Sequence, residues 1–228
     1  MSKDDIINVF KRSGLFKGLS VQELDQVYDF TMPTERKYGK NISIVQQGEP
    51  VNAVGIIKSG TIISMKYHFD GSAQILRIYK HHETFSLDVV NTTLQTSPTT
   101  LVSRTECDVI FIPYKKLLEI GKINCGVKET IMLNSTWILS NEMVRLMYKI
   151  DVLSKRTLQE RIMTYLSIIS EKNGRDTFDI NMNHEQFAQY LCVNRSVLSK
   201  ELNRMKKAGL IGYKKSIYTV YQHTHHPK

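Results

Sequence analysis

The spacing of apolar residues changes twice along the chain and predicts three kinds of structure. Residues 4–30 carry helical spacing in two short stretches, and the second stretch opens with a capping box formed by Ser20 and Glu23. From Tyr38 to Ile112 the apolar positions alternate in short runs interrupted by glycine, which predicts an antiparallel β-barrel or jelly roll. Between Lys115 and Leu153 the spacing is helical again. The pattern therefore predicts an α+β protein in which a long helix follows a β-rich part.

A seven-residue repeat of apolar side chains runs along the long helix and indicates a coiled-coil seam of about three heptads. The seam residues are Met132, Thr136, Leu139, Met143, Leu146, Ile150 and Leu153. Trp137, Ile138 and Val144 lie off the seam and are expected to pack on the chain's own barrel. A helix that is apolar on two faces needs two partners, so the pattern favours a parallel dimer helix. The alternative is a helix that packs only on its own barrel.

Two short helices joined by three residues are predicted in the last third of the chain. Asn183 is a suitable N-cap, and Gln186 completes a capping box with it. Residues 192–194 interrupt the helical spacing, and a second helix is predicted from Arg195 until Gly209 ends it. Its buried face is expected to hold Val197, Leu198, Leu202 and Met205. Such a pair is typical of a helix-turn-helix, whose second helix enters the major groove of DNA.

The outward face of the second helix carries polar and basic side chains that suit DNA. The predicted base-reading residues are Arg195, Ser196, Ser199 and Lys200. Arginine can bond guanine O6 and N7 together, which makes a specific contact. The predicted phosphate contacts are Asn183, Arg204, Lys206, Lys207, Lys214 and Lys215. Lys214 and Lys215 lie in a turn between two strands that are predicted to form a wing. The alternative is an ordinary helical hairpin with a solvated basic face.

The distribution of charge favours a partner rich in phosphate. The chain has 228 residues and a net charge of +9. Residues 1–153 hold 18 Lys and Arg against 16 Asp and Glu, whereas residues 154–228 hold 13 against 6. The basic excess therefore lies with the predicted helix-turn-helix, where it attracts phosphate backbones or anionic membranes.

The same sequence shows no sign of a membrane span or of catalysis. No apolar run approaches the roughly 18 residues of a spanning helix, the N-terminus is no signal peptide, and the cysteines lack C-x-x-C spacing. His184-Glu185 lacks the second His of a zinc H-E-x-x-H motif, and His223, His225 and His226 lie in a tail where disorder is commoner than chelation. These features predict a cytoplasmic protein with reduced thiols, which is not an enzyme and has no metal or cofactor.

The order of the parts resembles the Crp/Fnr superfamily of bacterial transcription regulators over essentially the whole chain. Leu15–Ser20 resembles the family's N-terminal LF-x-x-LS motif, and Gln47–Pro50 and Ile56–Gly60 resemble two of its barrel turns. Asp70-Gly71 matches the next hairpin, and Arg195–Leu202 resembles the recognition helix. Each fragment is short, and the resemblance rests on their order and spacing.

The resemblance implies a division into three parts and a set of partners. It places a cyclic-nucleotide-binding-type sensor barrel at 1–115, a dimerisation helix at 116–153 and a winged helix-turn-helix domain at 154–228. It implies a homodimer on double-stranded promoter DNA, whose half-sites lie one helical turn apart. RNA polymerase and a small-molecule effector are the further partners that it implies.

Departures from the family limit what the effector can be. Cyclic-AMP binders of the family carry a G-E-x-x-G-E-L cassette and a following arginine. In this chain Ser86 stands in the position of the second glycine, Leu87 in that of the acidic residue and Ser97 in that of the arginine. Without arginine a buried cyclic phosphate would be poorly compensated, so cyclic AMP is not expected to bind. The residues near the family's pocket by position are Arg77, Ser86, Leu87 and Asp88. A protein that is competent without any ligand is equally consistent with the sequence.

The cysteines exclude one further sensor type. The oxygen-sensing branch of the family holds an iron–sulfur cluster through N-terminal cysteines, and this chain has none before Cys107, which excludes a four-cysteine cluster. Cys107 and Cys125 are expected to be buried, inert thiols, and the alternative is a redox role.

A second class of function stays open at this point. It is a ligand-sensing interaction module whose basic domain binds RNA, an anionic membrane or a protein partner. Arg195, Ser199 and Lys200 at the start of a helix favour DNA, because neither RNA nor lipid needs that arrangement.

Overall fold

The computed structural model describes residues 2–67, 69, 71, 73–119 and 123–221. The chain divides into two compact units, Met1–Glu142 and Met143–Lys228. The three-part division into 1–115, 116–153 and 154–228 stays a prediction.

The first unit begins with the two predicted helices. Helix α1 spans Lys3–Arg12, a short 3₁₀ turn spans Gly14–Phe16, and α2 spans Val21–Thr31. The predicted capping box is formed, since the Glu23 N–H donates to Ser20 Oγ at 3.3 Å and the Ser20 N–H donates to Glu23 Oε2 at 2.8 Å. The apolar faces of both helices are buried in one cluster with strands of the barrel.

The barrel consists of two four-stranded antiparallel sheets. Its strands are β1 (Thr34–Tyr38), β2 (Ser43–Val45), β3 (Ala53–Ser59), β4 (Ile62–Tyr67), β5 (Ala73–Tyr79), β6 (Thr84–Phe85), β7 (Thr100–Ser103) and β8 (Cys107–Pro113). The strand orders are β1-β8-β3-β6 in one sheet and β2-β7-β4-β5 in the other. This arrangement confirms the predicted antiparallel jelly roll.

The interior of the barrel is apolar and closely packed. The buried cluster draws on both sheets and comprises Ile57, Ile62, Tyr79, Phe85, Leu101, Cys107 and Val109. Gly55 lies directly against the Phe85 ring, so that a Cβ atom at this position would overlap the ring. Glycine is therefore required here by the close approach of a backbone to an aromatic side chain.

Three helices complete the first unit and lead into the second. They are α3 (Leu87–Val90), α4 (Tyr114–Leu118) and α5 (Cys125–Ser154). The helical spacing from Lys115 onward predicts one stretch, but the structure separates it into α4 and α5. The separation follows from Glu119, whose extended backbone (ψ 132°) ends α4.

Helix α5 is the long helix of the sequence pattern. In the first unit its side chains Val127 and Ile131 are buried, and the Asn134 side-chain amide donates to Leu15 O at 3.1 Å and to Lys17 O at 2.8 Å. Ile138 packs on the core of the first unit as predicted. The prediction that Trp137 and Val144 pack in the same way is wrong, because both side chains are exposed.

The second unit combines three helices with a small sheet. Its further elements are α6 (Leu158–Asn173), β9 (Thr177–Asp179), α7 (His184–Tyr190), α8 (Arg195–Lys207), β10 (Ile211–Lys214) and β11 (Ile217–Val220). The sheet is antiparallel with the order β10-β11-β9. The fully buried side chains of the second unit include Leu166, Phe187, Leu202 and Tyr218. Within the described part of the chain, no helix is both long and apolar enough to cross a membrane.

Candidate DNA interface and sensor cavity

The helix-turn-helix is built by α7, a short turn and α8. The Gln186 N–H donates to Asn183 Oδ1 at 2.8 Å and the Asn183 N–H donates to Gln186 Oε1 at 2.9 Å, so the predicted capping box starts α7. The turn passes through Cys192, whose backbone is left-handed (φ 58°), and α8 begins at Arg195 as predicted. Gly209, also left-handed (φ 69°), follows the end of α8. A capping box therefore starts α7, and left-handed residues turn the chain after α7 and after α8, whereas the N-cap residue Asn194 of α8 makes no side-chain cap hydrogen bond.

The buried face of α8 differs from the prediction at one residue. Leu198, Leu202 and Met205 are buried, but Val197 is 47% exposed. Helical spacing explains the difference, because Val197 lies about 100° away from Leu198 around the helix axis. An exposed valine on the first turn of such a helix can make an apolar contact to a thymine methyl group.

The outward face of α8 carries the predicted base-reading residues together. Arg195, Ser196 and Lys200 are exposed and Ser199 is half-buried. Asn203, which the sequence reasoning missed, lies on the same face three residues after Lys200, and its Oδ1 accepts a hydrogen bond from the Tyr213 hydroxyl at 2.9 Å. The signal that could have found it is the spacing of Ser196, Lys200 and Asn203 along one helical stripe.

The predicted phosphate contacts lie on exposed surface around α8 and the wing. Asn183, Lys206, Lys207, Lys214 and Lys215 are exposed, and the wing turn is made by Lys215 in a left-handed conformation (φ 56°). Arg204 is also exposed, but its guanidinium is held by Glu201 through two hydrogen bonds of 2.6 and 3.1 Å and by Gln159 at 2.8 Å. These bonds engage Nε and Nη2, so Nη1 is the part of the guanidinium that remains for a phosphate contact.

A cavity of about 570 Å³ brings several of these residues together in the second unit. Its lining includes Arg195 from α8, Lys215 from the wing turn, and Asn183 and His184 from the start of α7. Burial lowers the pKa of His184, and the nearby Arg195 guanidinium lowers it further. The cavity therefore combines two cations and the His184 imidazole with the carboxylate of Asp179 beside the recognition helix.

The C-terminal part of α5 contacts the helix-turn-helix through Lys149 and Tyr190. Lys149 is buried, and its Nζ lies 4.4 Å from the centre of the Tyr190 ring at the end of α7. Burial lowers the pKa of Lys149 to about 8 and raises that of Tyr190 to about 12. A cation above an aromatic face is a favourable contact, and here it joins α5 to the turn that precedes α8.

The seam residues of α5 lie largely at the surface of the single chain. Met132, Met143, Leu146 and Ile150 are 56, 60, 41 and 68% exposed, and Leu139 and Leu153 are half-buried. Thr136 is exposed. A second exposed apolar row is formed by Leu133, Trp137, Val144 and Met147. A row of this length on one helix is more apolar surface than a monomer usually leaves uncovered.

The four residues predicted for the effector pocket have different environments. Arg77 on β5 pairs with Glu142 of α5, lies 3.8 Å from Glu83 and stacks over the Tyr79 ring at 4.3 Å. Leu87 is buried in the core of the first unit, whereas Asp88 is exposed. Ser86 lines a separate cavity of about 290 Å³, whose lining does not include the other three.

The cysteines follow the prediction only in part. Cys107 is buried in the barrel, and its Sγ lies 3.4 Å from Thr61 O. Cys125 is exposed, so the expectation of a buried thiol is wrong for it.

Among the described residues, no group of three or more His, Cys, Asp or Glu side chains is placed to hold a metal ion. His223, His225 and His226 lie outside the described residues.

Comparison with known proteins identifies both units. Residues 35–124 match the family model of the cyclic nucleotide-binding domain, and residues 160–221 match that of the Crp-like helix-turn-helix domain. Electron transport regulator A of Shewanella oneidensis is 25% identical over 211 residues, which cover 90% of this chain and 81% of that protein. Transcriptional activator protein anr of Pseudomonas aeruginosa is 25% identical over 199 residues, covering 85% and 78%.

Solved structures share the fold. The c-di-GMP responsive global regulator CLP of Xanthomonas campestris is similar with a TM-score of 0.69 at 15% identity, covering 89% of this chain and all of that one. A CooA mutant from Carboxydothermus hydrogenoformans also has a TM-score of 0.69 at 15% identity, covering 90% and 88%. The two domain matches, their order, the relatives and the shared fold agree with one another. The chain belongs to the Crp/Fnr family and is a transcription regulator with a helix-turn-helix domain, in a family of regulatory proteins rather than enzymes.

Proposed function

We propose that this regulator is a homodimer that binds a pseudo-palindromic promoter site, with α8 of each protomer in the major groove. The observation that carries the proposal is the outward face of α8, where Arg195, Ser196 and Lys200 are exposed at the start of a helix whose opposite face is buried. Recognition helices use their N-terminal residues to contact base edges. Lys207, Lys214 and Lys215 surround this face and supply phosphate contacts that position it.

The seam on α5 is the proposed dimer interface. Its exposed members, Met132, Met143, Leu146 and Ile150, recur at the three- and four-residue spacing of a coiled coil. A second copy of the same helix buries the same row, because a two-fold interface is self-complementary. The dimer then presents two copies of α8, which explains why the site should be a pseudo-palindrome.

Control by a small molecule in the barrel is the third part of the proposal. Binding there would change the balance between two arrangements of the two recognition helices through α5. Cyclic AMP is not the expected effector, because Ser97 stands in the arginine position and Arg77 already has Glu142 and Glu83 as carboxylate neighbours. RNA polymerase is the proposed protein partner at the promoter, in the cytoplasm.

A DNA selection tests the proposal. Purified full chain is incubated with random duplexes at about 150 mM salt, where non-specific phosphate binding is weakened, and the bound pool is sequenced. We expect a palindrome with half-sites about one turn apart. Selection is repeated with Ser196→Ala, which should change preference within the half-site, and with Asn141→Ala on α5 as a matched control. If no motif emerges even with added metabolite extract, the basic domain binds RNA, lipid or protein instead.

A further inference from the structure

A cavity of about 290 Å³ opens on the first unit at the edge strands of the two sheets. Strands β1 and β2 each lie at the end of their sheet, and both contribute to its lining. Arg36, Tyr38, Val45, Glu49, Ser86 and Phe111 are among the lining residues. The volume is close to the lower limit of about 300 Å³ for small-molecule pockets, and the lining mixes polar with apolar side chains.

Arg36 is the cation of this cavity. Its guanidinium carbon lies 5.6 Å from the centre of the Phe111 ring, and no carboxylate lies within ion-pair distance of it in the described part of the chain. Side chains alternate along β1, so the neighbours Glu35 and Lys37 lie on the other face, where Glu35 pairs with Lys58 at 3.0 Å. A guanidinium that stacks on an aromatic ring and has no carboxylate as an ion-pair partner is suited to bind an anion.

Ser86 supplies an unused polar group to the same cavity. Its backbone is left-handed (φ 62°), the residue is only 6% exposed, and its hydroxyl makes no cap hydrogen bond to α3. No other hydrogen bond of this hydroxyl is found within the described residues. The oxygen is not among the fully buried side-chain atoms without a partner, so it is open to the cavity, where a ligand could form a hydrogen bond with it.

The remaining lining residues restrict the ligand further. Tyr38 and Phe111 are arranged edge to face at 6.4 Å, and Val45 adds an apolar wall, which together suit one aromatic ring. Glu49 also lines the cavity, and its Oε2 accepts the Gln46 N–H at 2.7 Å. A carboxylate in the lining of the same cavity disfavours ligands with more than one negative charge.

We propose that this cavity binds a small aromatic monocarboxylate, with the carboxylate on Arg36, a hydrogen bond to the Ser86 hydroxyl and the ring against Tyr38 and Val45. The site differs from the one expected around Arg77, whose charge is already compensated by Glu142. The inference deepens the proposed effector control and rests on it for its biological meaning, but the binding itself does not depend on DNA.

Calorimetry on the full chain tests the site with benzoate, 4-hydroxybenzoate and phenylacetate, and with neutral 4-hydroxybenzamide as the charge control. We expect at least one carboxylate to bind with a Kd below about 1 mM and the amide to bind at least about tenfold more weakly. Arg36→Gln should weaken the carboxylate at least about tenfold, and Ser86→Ala about threefold. Lys37→Gln, with the same charge change on the opposite face of β1, should leave the Kd unchanged.

The outcomes separate this inference from the proposed function. Absence of binding by all three carboxylates overturns the inference, and so does equal binding by Arg36→Gln and the unchanged chain. If the carboxylate binds but the DNA selection gives no palindrome, the proposed function fails while the site stands. If a palindrome emerges without any carboxylate binding, only the site is wrong.

Discussion

Replacing Ile150 by alanine tests the dimer seam with a small change at its most exposed apolar residue. Ile150 is 68% exposed in the single chain. Burying a whole isoleucine side chain contributes about 1.5–3 kcal/mol, so covering two-thirds of it contributes about 1–2 kcal/mol. A two-fold dimer covers two copies, and alanine retains only the Cβ, which gives a loss of about 2–3 kcal/mol per dimer. The dimer Kd should therefore rise about 30- to 150-fold.

Sedimentation velocity over a dilution series measures this change directly. The folded monomer should be unaffected, because alanine favours a helix at least as well as isoleucine. Asn141→Ala, an exposed position of the same helix away from the seam, serves as the control and should keep the Kd unchanged. If Ile150→Ala dimerises as tightly as the unchanged chain, or if the chain is a monomer at all concentrations, the seam is not the interface.

Four further predictions concern DNA, the effector and the barrel. Arg195→Ala should relax the choice at one base pair by about 1–3 kcal/mol in a DNA selection, and unaltered preference would argue against base reading by this residue. Lys207→Ala should weaken all sequences alike and reduce the salt slope of binding by about 1, whereas a change of preferred sequence would contradict a phosphate contact. Titration with cyclic AMP should show no binding, and a micromolar Kd would overturn the argument from the missing arginine. Gly55→Ala should lower the free energy of unfolding by about 1–3 kcal/mol in urea, because its Cβ overlaps the Phe85 ring. Gly126→Ala, whose Cβ would meet only ordinary contacts, should not lower it.

Local sequence signals predicted the helix-turn-helix well. Asn183 with Gln186, and Gly209, act within a few residues of the helix ends that they determine, so their effect is visible in the sequence alone. The alternating barrel strands were equally accessible, because burial of one face imposes a period of two. Val197 was misassigned because the apolar stripe of α8 is narrow, and a residue at its margin is exposed although it is apolar.

Contacts between distant residues could not be predicted in the same way. Arg77 meets Glu142, which is 65 residues away in the sequence. Ser86 and Arg36 share a cavity only because β1 and the segment before α3 meet in the folded barrel. The sequence alone cannot show that Glu142 compensates the charge of Arg77, or that Arg36 has no ion-pair partner among the described residues. Both facts depend on how the strands are arranged in the folded barrel.

The spacing of the two half-sites provides the most direct test of the central claim that two copies of α8 bind one DNA site together. The palindrome from the selection is compared with versions that carry 5 or 10 extra base pairs between the half-sites. A half-turn insertion places the second half-site on the opposite side of the duplex, so the account predicts a loss of about 100-fold for 5 base pairs. Affinity that is unchanged by the 5-base-pair insertion would show that each half-site is bound independently, and would contradict a dimer of fixed geometry.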